Sequence, residues 1–416
     1  MRRALTLMAL VVAGEAIFSL PFILPRIFRP TILDVFAINN TQLGSAMSVY
    51  GVVAMVSYVL GGPLADRFST RRMMALALVA TALGGMYLWT IPSFSGLIGV
   101  YALWGMTTIL LFWAGLMRAT REWGGQATQG RAFGLLDGGR GLVSALLATL
   151  GTALFSVASG EHSNAAETAE ALRFVIAGFV CLTLAAAGGI WWLLPESERR
   201  ESESRFDVAK LRSIASLPGI WLQSLIIICA YVGYKGTDDL SLLTVDALGA
   251  TDVEAAWVGT LSFWIRPVAA VGAGFLADRI GGAKTVGCCF ALLLAGNLGV
   301  AGGVMGPAHA LLFTSIVGTC VAVYALRGVY FALLPEAGVP FALTGTAVGI
   351  VSLVGYTPDV FFGPLMGWIL DGKAGAEGHQ DLFLVLSGFA LLGLVATALF
   401  ARVSVKTATS PEDRAE

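Results

Sequence analysis

Long apolar runs alternate with short polar connections along almost the whole chain. Windows of about 20 residues pick out twelve runs long enough to cross about 30 Å of hydrocarbon as α-helices. Backbone groups inside a bilayer must hydrogen-bond internally, which a continuous apolar run does as a helix. The pattern predicts an all-α polytopic membrane protein with twelve transmembrane helices, near 5–30, 42–65, 72–92, 96–118, 132–157, 171–195, 218–245, 253–277, 284–305, 309–333, 343–370 and 381–402.

One polar stretch divides these runs into two sets of six. The segment from Pro195 to Arg205 is rich in Glu, Ser and Arg, and residues 206–211 after it are expected to form a short interfacial helix. We therefore predict an N-terminal six-helix half, a cytoplasmic linker, a C-terminal six-helix half and a cytoplasmic tail. Their bounds are 1–195, 196–217, 218–403 and 404–416.

A five-residue sequence occurs once in each half. Residues 64–68 read Leu-Ala-Asp-Arg-Phe, and residues 276–280, about 212 positions later, read Leu-Ala-Asp-Arg-Ile. Each copy is preceded by a glycine, Gly62 or Gly274, and closes an apolar run. An ionic turn repeated at the same end of a helix in both halves is typical of secondary transporters that arose by internal duplication. The repeat indicates a solute carrier.

The repeated turn resembles the signature loop of the major facilitator superfamily. In that family the loop joins helices two and three, and again eight and nine, and its gate locks the cytoplasmic side in the outward-open state. The first copy has Ser69-Thr70 where the family usually has Gly-Arg. The resemblance covers the whole chain and implies two pseudosymmetric halves. It also implies the gating residues Gly62, Asp66, Arg67, Arg71, Gly274, Asp278 and Arg279.

Composition agrees with a chain that lies mostly in lipid. Of 416 residues, 56% are hydrophobic and 13% are charged, far from the averages of soluble domains. A net charge of −1 gives no reason to expect nucleic acid as a partner. No Ser-His-Asp set, metal cluster or phosphate loop occurs, so the sequence predicts no enzyme and no cofactor. The five cysteines all fall in apolar segments and are interpreted as small buried hydrophobes.

Basic residues set the predicted orientation. Most lie at the N-terminus, in the linker, at the C-terminus or in connections such as the one containing Arg118, Arg121 and Arg131. Because positive loops stay inside, both termini should be cytoplasmic in a bacterial inner membrane. All three histidines fall in outward loops, so a proton relay within the membrane must use carboxylates.

Arginines at membrane depth are the strongest evidence about cargo. Arg266 lies twelve residues before Asp278, about 18 Å from the cytoplasmic end of its helix and near the midplane, where carriers bind substrate. Arg140 lies about 13 Å into helix five, and its guanidinium is expected to approach that of Arg266. Arginine matches carboxylate and phosphate groups in two hydrogen bonds, so we predict an anionic substrate. Alternatively, Arg140 pairs with Asp137 one turn earlier. Arg327 lies nearer the cytoplasmic end of helix ten, where it can snorkel, so a structural role is favoured there.

Glu15 and Asp359 are candidate proton carriers, with Asp137 as a third. Burial raises a carboxyl pKa and a nearby arginine lowers it, so proton uptake can depend on whether an anion engages the arginine. The alternative is that each acid permanently neutralises a basic residue. The candidate substrate contacts besides the arginines are aromatic, although most aromatics in a helical bundle serve packing: Tyr231, Trp264, Tyr324 and Trp113.

Two absences distinguish the chain from proton-coupled drug exporters of the superfamily. Those proteins usually carry an arginine in helix four, where this chain has Tyr101 ahead of Gly105, and a Gly-Pro element in helix five, which is missing here. A looser resemblance links the chain to the organic-anion and organophosphate uptake branches. The expected protein is a monomeric, proton-coupled importer of a small organic anion. Anion exchange, efflux and a non-transporting solute sensor are the alternatives.

Overall fold

A computed structural model describes residues 2–124, 129–159, 164–196, 208–303, 309–339, 343–373 and 375–408. Within these ranges the chain forms helices and no strand. The predicted runs correspond to twelve long helices, which confirms the predicted fold class. We number them α1 (Arg3–Ile27), α2 (Asn40–Arg67), α3 (Thr70–Trp89), α4 (Phe94–Gly124), α5 (Gln129–Ala158), α6 (Ala165–Leu193), α7 (Pro218–Gly236 and Leu240–Leu248), α8 (Asp252–Ile280), α9 (Gly282–Gly303), α10 (His309–Val329), α11 (Thr344–Gly355 and Pro358–Gly372) and α12 (Ala376–Ala408).

Ten helices in the described ranges are long and apolar enough to cross a membrane. The chain is therefore a multi-pass membrane protein. Two short helices lie between the long ones. Arg29–Val35 follows α1, and Val208–Ala215, slightly later than the interfacial helix predicted at 206–211, precedes α7.

Local sequence explains several helix ends. Asn39 starts α2 as a capping box, because its side chain accepts from the amide of Gln42 while the Gln42 side chain accepts from the amide of Asn39. Asn164 and Glu167 start α6 in the same way. Both boxes satisfy helix amides that would otherwise lack partners.

Several helices depart from regular α geometry. In α1, Ser19–Ile23 is a π-helical turn, and in α4 the π-helical stretch covers Met106–Trp113. In α7 a 3₁₀ turn, Thr237–Asp239, follows Gly236 and separates the two parts of the helix. Short π segments occur frequently at functional sites because the extra residue redirects nearby side chains.

The chain divides into two compact units. The first contains residues 1–203, 238–264 and 359–371, and the second contains 204–237, 265–358 and 372–416. In the first unit, apolar side chains from α1 to α6 form the core, joined by Ala256 and Phe263 of α8. In the second, the core consists mainly of side chains from α7, α9, α10 and α12.

Candidate functional site

Arg140 of α5 forms an ion pair with Glu15 of α1 inside the first unit. The Arg140 Nη2 atom lies 3.1 Å from Glu15 Oε2, and the two side chains are only 12% and 6% exposed. Arg140 Nε also donates to the carbonyl oxygen of Gly14 at 3.0 Å. Gly14 permits this approach, since a side-chain Cβ there would lie 3.2 Å from Arg140 Cδ. Glu15 and Gly14 therefore fix the guanidinium against α1.

Two aromatic rings cover the same guanidinium. Its central carbon lies 5.4 Å from the ring centroid of Trp113 and 5.7 Å from that of Phe18, and the two rings meet edge to face. Trp113 ends the π segment of α4 and Phe18 precedes the π segment of α1. Each cation–π contact is worth about 0.5–2 kcal/mol. The irregular segments thus lie beside the aromatic residues that contact Arg140.

Asp137 lies one turn before Arg140 on α5. One of its carboxylate oxygens is 3.9 Å from Arg140 Nη1, and its side chain is 73% exposed. The spacing of the two residues had suggested this pairing. The shorter contact of Arg140, however, is with Glu15, on a different helix.

Arg327 of α10 lies among tyrosines in the second unit. Its guanidinium carbon is 3.9 Å from the ring centroid of Tyr234 and 5.6 Å from that of Tyr231, both on α7. The Nη1 atom of Arg327 is buried without a hydrogen-bond partner. The expectation that Arg327 snorkels to water is wrong, because its guanidinium is covered by ring faces instead.

The tyrosines around Arg327 form a connected group. The ring of Tyr231 lies 5.0 Å from that of Tyr356, and the ring of Tyr234 lies 6.2 Å from that of Tyr324. The hydroxyls of Tyr330 and Tyr356 are 3.3 Å apart. We call Arg327 with Tyr231, Tyr234, Tyr324, Tyr330 and Tyr356 the tyrosine cage. Two of its members, Tyr231 and Tyr324, were predicted as substrate contacts.

A third polar cluster lies at the end of the first unit where α1 finishes and α2 begins. Arg26 Nε donates to Asp238 Oδ1 at 2.6 Å, and both side chains are almost fully buried. Arg29, also fully buried, donates through Nε and Nη2 to the side-chain oxygen of Asn40. The carboxylate of Asp371 accepts from the first amides of α2. We call these residues the Arg26 cluster.

Glycines let α2 and α11 approach closely at that end. A Cβ atom on Gly44 would collide with the carbonyl of Gly363, and one on Gly367 would collide with the backbone of Asn40. Farther along, a Cβ on Gly51 would lie 2.5 Å from the carbonyl oxygen of Asp359. Backbones at this separation can tolerate no larger residue without moving.

The predicted gating residues lie at the opposite end of α2 and at the end of α8. Gly62 and the side chains of Asp66 and Arg67 lie outside what the structure describes. Arg71 Nη2 lies 2.9 Å from a carboxylate oxygen of Glu196, which also pairs with Arg72.

The second copy of the turn is described. Asp278 and Arg279 are exposed, and an added Cβ on Gly274 would meet no atom within 4 Å. The Glu336 carboxylate accepts from the amides of Gly282 and Ala283 at the start of α9. An acidic side chain there complements the positive end of the helix dipole.

The remaining residues predicted for the substrate and proton sites each have their own surroundings in the structure. Arg266 is half-buried on α8, directly before Pro267, and belongs to the second unit, whereas Arg140 belongs to the first. Trp264, 41% exposed, donates from its indole nitrogen to the hydroxyl of Thr149 at 2.9 Å. Asp359 lies in the first turn after Pro358, where α11 resumes.

Two groups of polar residues escaped the sequence reasoning. The tyrosine cage was missed because Arg327 lies near a helix end, where snorkelling is the usual outcome. The Arg26 cluster was missed because its members come from distant parts of the chain, with Arg26 and Asp238 212 positions apart.

Comparison with known proteins defines the class. The family model for the major facilitator superfamily matches residues 6–237, more than half of the chain. The chain belongs to the major facilitator superfamily, and it is a transporter rather than an enzyme.

Two relatives from Escherichia coli strain K12 match over almost their entire length. Inner membrane protein YihN is 27% identical, with 94% of each chain covered, and inner membrane protein YqcE is 26% identical, with 96% of this chain and 94% of the relative covered. Their names specify a membrane but no cargo.

Solved structures share the fold. A bacterial homologue of the human lysosomal transporter Spinster, in an inward-facing and unoccupied conformation, superimposes with a TM-score of 0.74 at 18% identity over 99% of both chains. The nucleoside transporter NupG gives 0.70 at 14% identity over 96% of this chain and 99% of that one. At these identities the likeness shows the fold alone.

Proposed function

We propose that this protein is a secondary active transporter that moves a small organic anion across the bacterial inner membrane by alternating access, with proton-coupled uptake. In this proposal both termini are cytoplasmic, residues 1–195 and 218–403 are the two moving halves, and one chain suffices. The cargo is a carboxylate, sugar acid or phosphate ester. Anion exchange and efflux would use the same machinery.

The ion pair between Arg140 and Glu15 is the observation that carries the proposal. It is buried at membrane depth, where an arginine is costly and usually serves a cavity or a partner. Trp113 and Phe18 shield the guanidinium from water, so a charge placed beside it interacts strongly. An anion and the Glu15 carboxylate would therefore compete for one guanidinium.

Proton coupling follows from this competition. When Glu15 is ionised it neutralises Arg140, and no net positive charge is offered to the cargo. When Glu15 binds a proton, Arg140 keeps its charge, because a guanidinium does not lose its proton at physiological pH. An anionic cargo would then restore neutrality, so the loaded carrier contains both a proton and an anion. Asp359 and Asp137 are further candidate carriers, and Arg266 is a further candidate contact.

Transport assays in proteoliposomes test the proposal. With an anion identified by binding, wild-type protein should accumulate it when only a proton gradient is imposed. Glu15→Gln should abolish that accumulation while preserving exchange of internal for external anion, since exchange need not release the proton. Glu170→Gln is the matched control, because Glu170 pairs with Arg173 in an exposed position.

Two outcomes would contradict the proposal. If Glu15→Gln and Asp359→Asn both accumulate the anion under a proton gradient, these acids are structural. If the wild-type protein binds an anion but shows no counterflow, it is a sensor and not a carrier.

A further inference from the structure

The tyrosine cage contains a cation that no acidic side chain of the described residues neutralises. Among the described residues, no carboxylate forms an ion pair with Arg327, and its electrostatic neighbours are Tyr231, Tyr234, Tyr330 and Tyr356. Arg140 has Glu15, and Arg26 has Asp238. Within the described part of the chain, Arg327 therefore differs from both of these arginines, because no carboxylate pairs with it.

Among the described residues, the cage leaves the Nη1 donor of Arg327 without a hydrogen-bond partner. At 3.9 Å from the ring centroid, the guanidinium carbon lies over the face of Tyr234. Ring faces attract the positive charge but accept none of the N–H groups, which point outward in the guanidinium plane. The buried Nη1 atom has no hydrogen-bond partner. A buried donor on a charged group is costly unless a ligand completes it.

The charge in the cage defines the ligand. One uncompensated positive charge in a low-dielectric site is balanced by one negative charge, and a carboxylate matches the guanidinium fork in two parallel hydrogen bonds. The tyrosine rings offer faces and hydroxyl groups to the body of the same molecule. We propose that Arg327 in the tyrosine cage binds the head group of a monocarboxylate. This inference rests on the proposed function and names the substrate class within it; a monocarboxylate has one negative charge, so Arg327 and Arg140 would bind it at different steps of the transport cycle.

Two matched sets of compounds test the ligand class by thermal shift of the full-length protein in detergent. Glycerol, glycerate and glycerol 3-phosphate share one carbon body and differ in charge, as do glucose, gluconate and glucose 6-phosphate. We expect the carboxylate of at least one set to raise the melting temperature more than its phosphate ester does, with no effect of the neutral compound. Equal or greater stabilisation by the phosphate esters would overturn the monocarboxylate assignment.

Variants of the cage test the residue. Arg327→Lys keeps the charge but loses the planar fork, so the Kd for the stabilising carboxylate should rise about tenfold or more. Arg173→Lys is the control, because Arg173 also lies over an aromatic ring, that of Trp89, and is an exposed arginine of the first unit. An unchanged Kd in folded Arg327→Lys and Arg327→Ala proteins would show that Arg327 only braces α10 against α7.

A second measurement applies if the Arg327 variants do not fold. Phenylglyoxal modifies arginine side chains, and mass spectrometry reads the modification at residue 327 of the wild-type protein. The stabilising carboxylate should protect residue 327 and leave Arg173 unprotected. Modification of Arg327 that is unchanged by the carboxylate would overturn the inference.

The two proposals fail in distinguishable ways. If none of the anions binds wild-type protein, both the anionic cargo and the cage assignment are wrong. If an anion binds and Arg140→Lys weakens it while Arg327→Lys does not, only the cage assignment is wrong. Loss of proton-driven accumulation in Glu15→Gln is independent of either result at Arg327.

Discussion

Arg26 and Asp238 form a buried ion pair inside the first unit. They are 212 positions apart, the offset that also relates Asp66 to Asp278, and Arg26 Nη2 lies 2.5 Å from Asp238 Oδ1.

Removal of either charge should destabilise the protein strongly. Each of Arg26→Ala and Asp238→Ala leaves a buried charge without its partner, a loss of about 3–5 kcal/mol. The double variant should lose less than the sum of the two, because the two opposite charges are removed together. Thermal or denaturant unfolding of the wild type, the two single variants and the double variant gives the coupling energy between Arg26 and Asp238.

The exposed pair Arg173 and Glu170 provides the control cycle. Their side chains are 30% and 68% exposed, and exposed pairs contribute about 0–1 kcal/mol. Equal coupling energies in the two cycles would show that burial of the Arg26 pair has no energetic consequence.

Close packing of α2 against α11 should depend on glycine. Gly44→Ala places a methyl group on the carbonyl of Gly363, so the helices must separate, at a cost of about 1–3 kcal/mol. Hydrogen exchange should then accelerate at the first backbone amides of α2, which donate hydrogen bonds to the Asp371 carboxylate in the wild-type protein. Gly349→Ala is the control, since an added Cβ there meets nothing within 4 Å. Unchanged exchange in Gly44→Ala would contradict the contact.

The repeated turns are expected to control closure of the cytoplasmic side. Asp66→Ala and Asp278→Ala should shift the population towards the inward-open state and leave substrate binding largely intact. Maleimide labelling of single cysteines, introduced at Ser69 and Lys284 and read by mass spectrometry, measures the accessibility of that side. Normal transport together with unchanged labelling in both variants would exclude a gating role.

Asp34 should make stability depend on pH. Partial desolvation, followed by the nearby carboxylates of Asp252 and Asp246, raises the pKa of the exposed Asp34 above its ordinary value. A raised pKa means that the folded protein disfavours the ionised form of Asp34. The contribution of Asp34 to the free energy of unfolding is therefore greatest at acidic pH, where the carboxyl is protonated, and is lost as pH rises through the folded-state pKa. Asp34→Asn should therefore raise the melting temperature at pH 7, and the gain should shrink towards pH 4. A gain that is constant across this range would show that ionisation of Asp34 is irrelevant.

Features that depend on neighbouring residues in sequence were predictable. Apolar runs located the helices because each helix satisfies its own backbone, and the pairing of Arg140 with Asp137 follows from their spacing on one helix. The capping box at Asn39 likewise depends on a residue three positions away.

Contacts between helices were harder to predict. The pairing of Arg140 with Glu15 requires knowledge of which face of α1 meets α5, and residue depth alone does not supply it. The tyrosine cage forms because α7, α10 and α11 bring their tyrosines together around Arg327. The distance of Arg327 from the end of its own helix does not reveal those neighbours, so depth alone gave the wrong expectation. The prediction that Arg266 contacts substrate stays untested, as do the gating assignments.

The π segment at Met106–Trp113 contains more residues per turn than an α-helix of the same rise. The wider turns take up extra residues, so deletion of one residue within the segment would tighten it towards regular α geometry and leave the helix beyond it in nearly its present orientation. Side chains inside the segment would instead shift relative to one another by up to about 100°, the angle between successive residues of an α-helix. A one-residue gap in an alignment of relatives over this stretch would therefore mark the chains in which the side chains at this level of α4, including the one that contacts Arg140, are arranged differently.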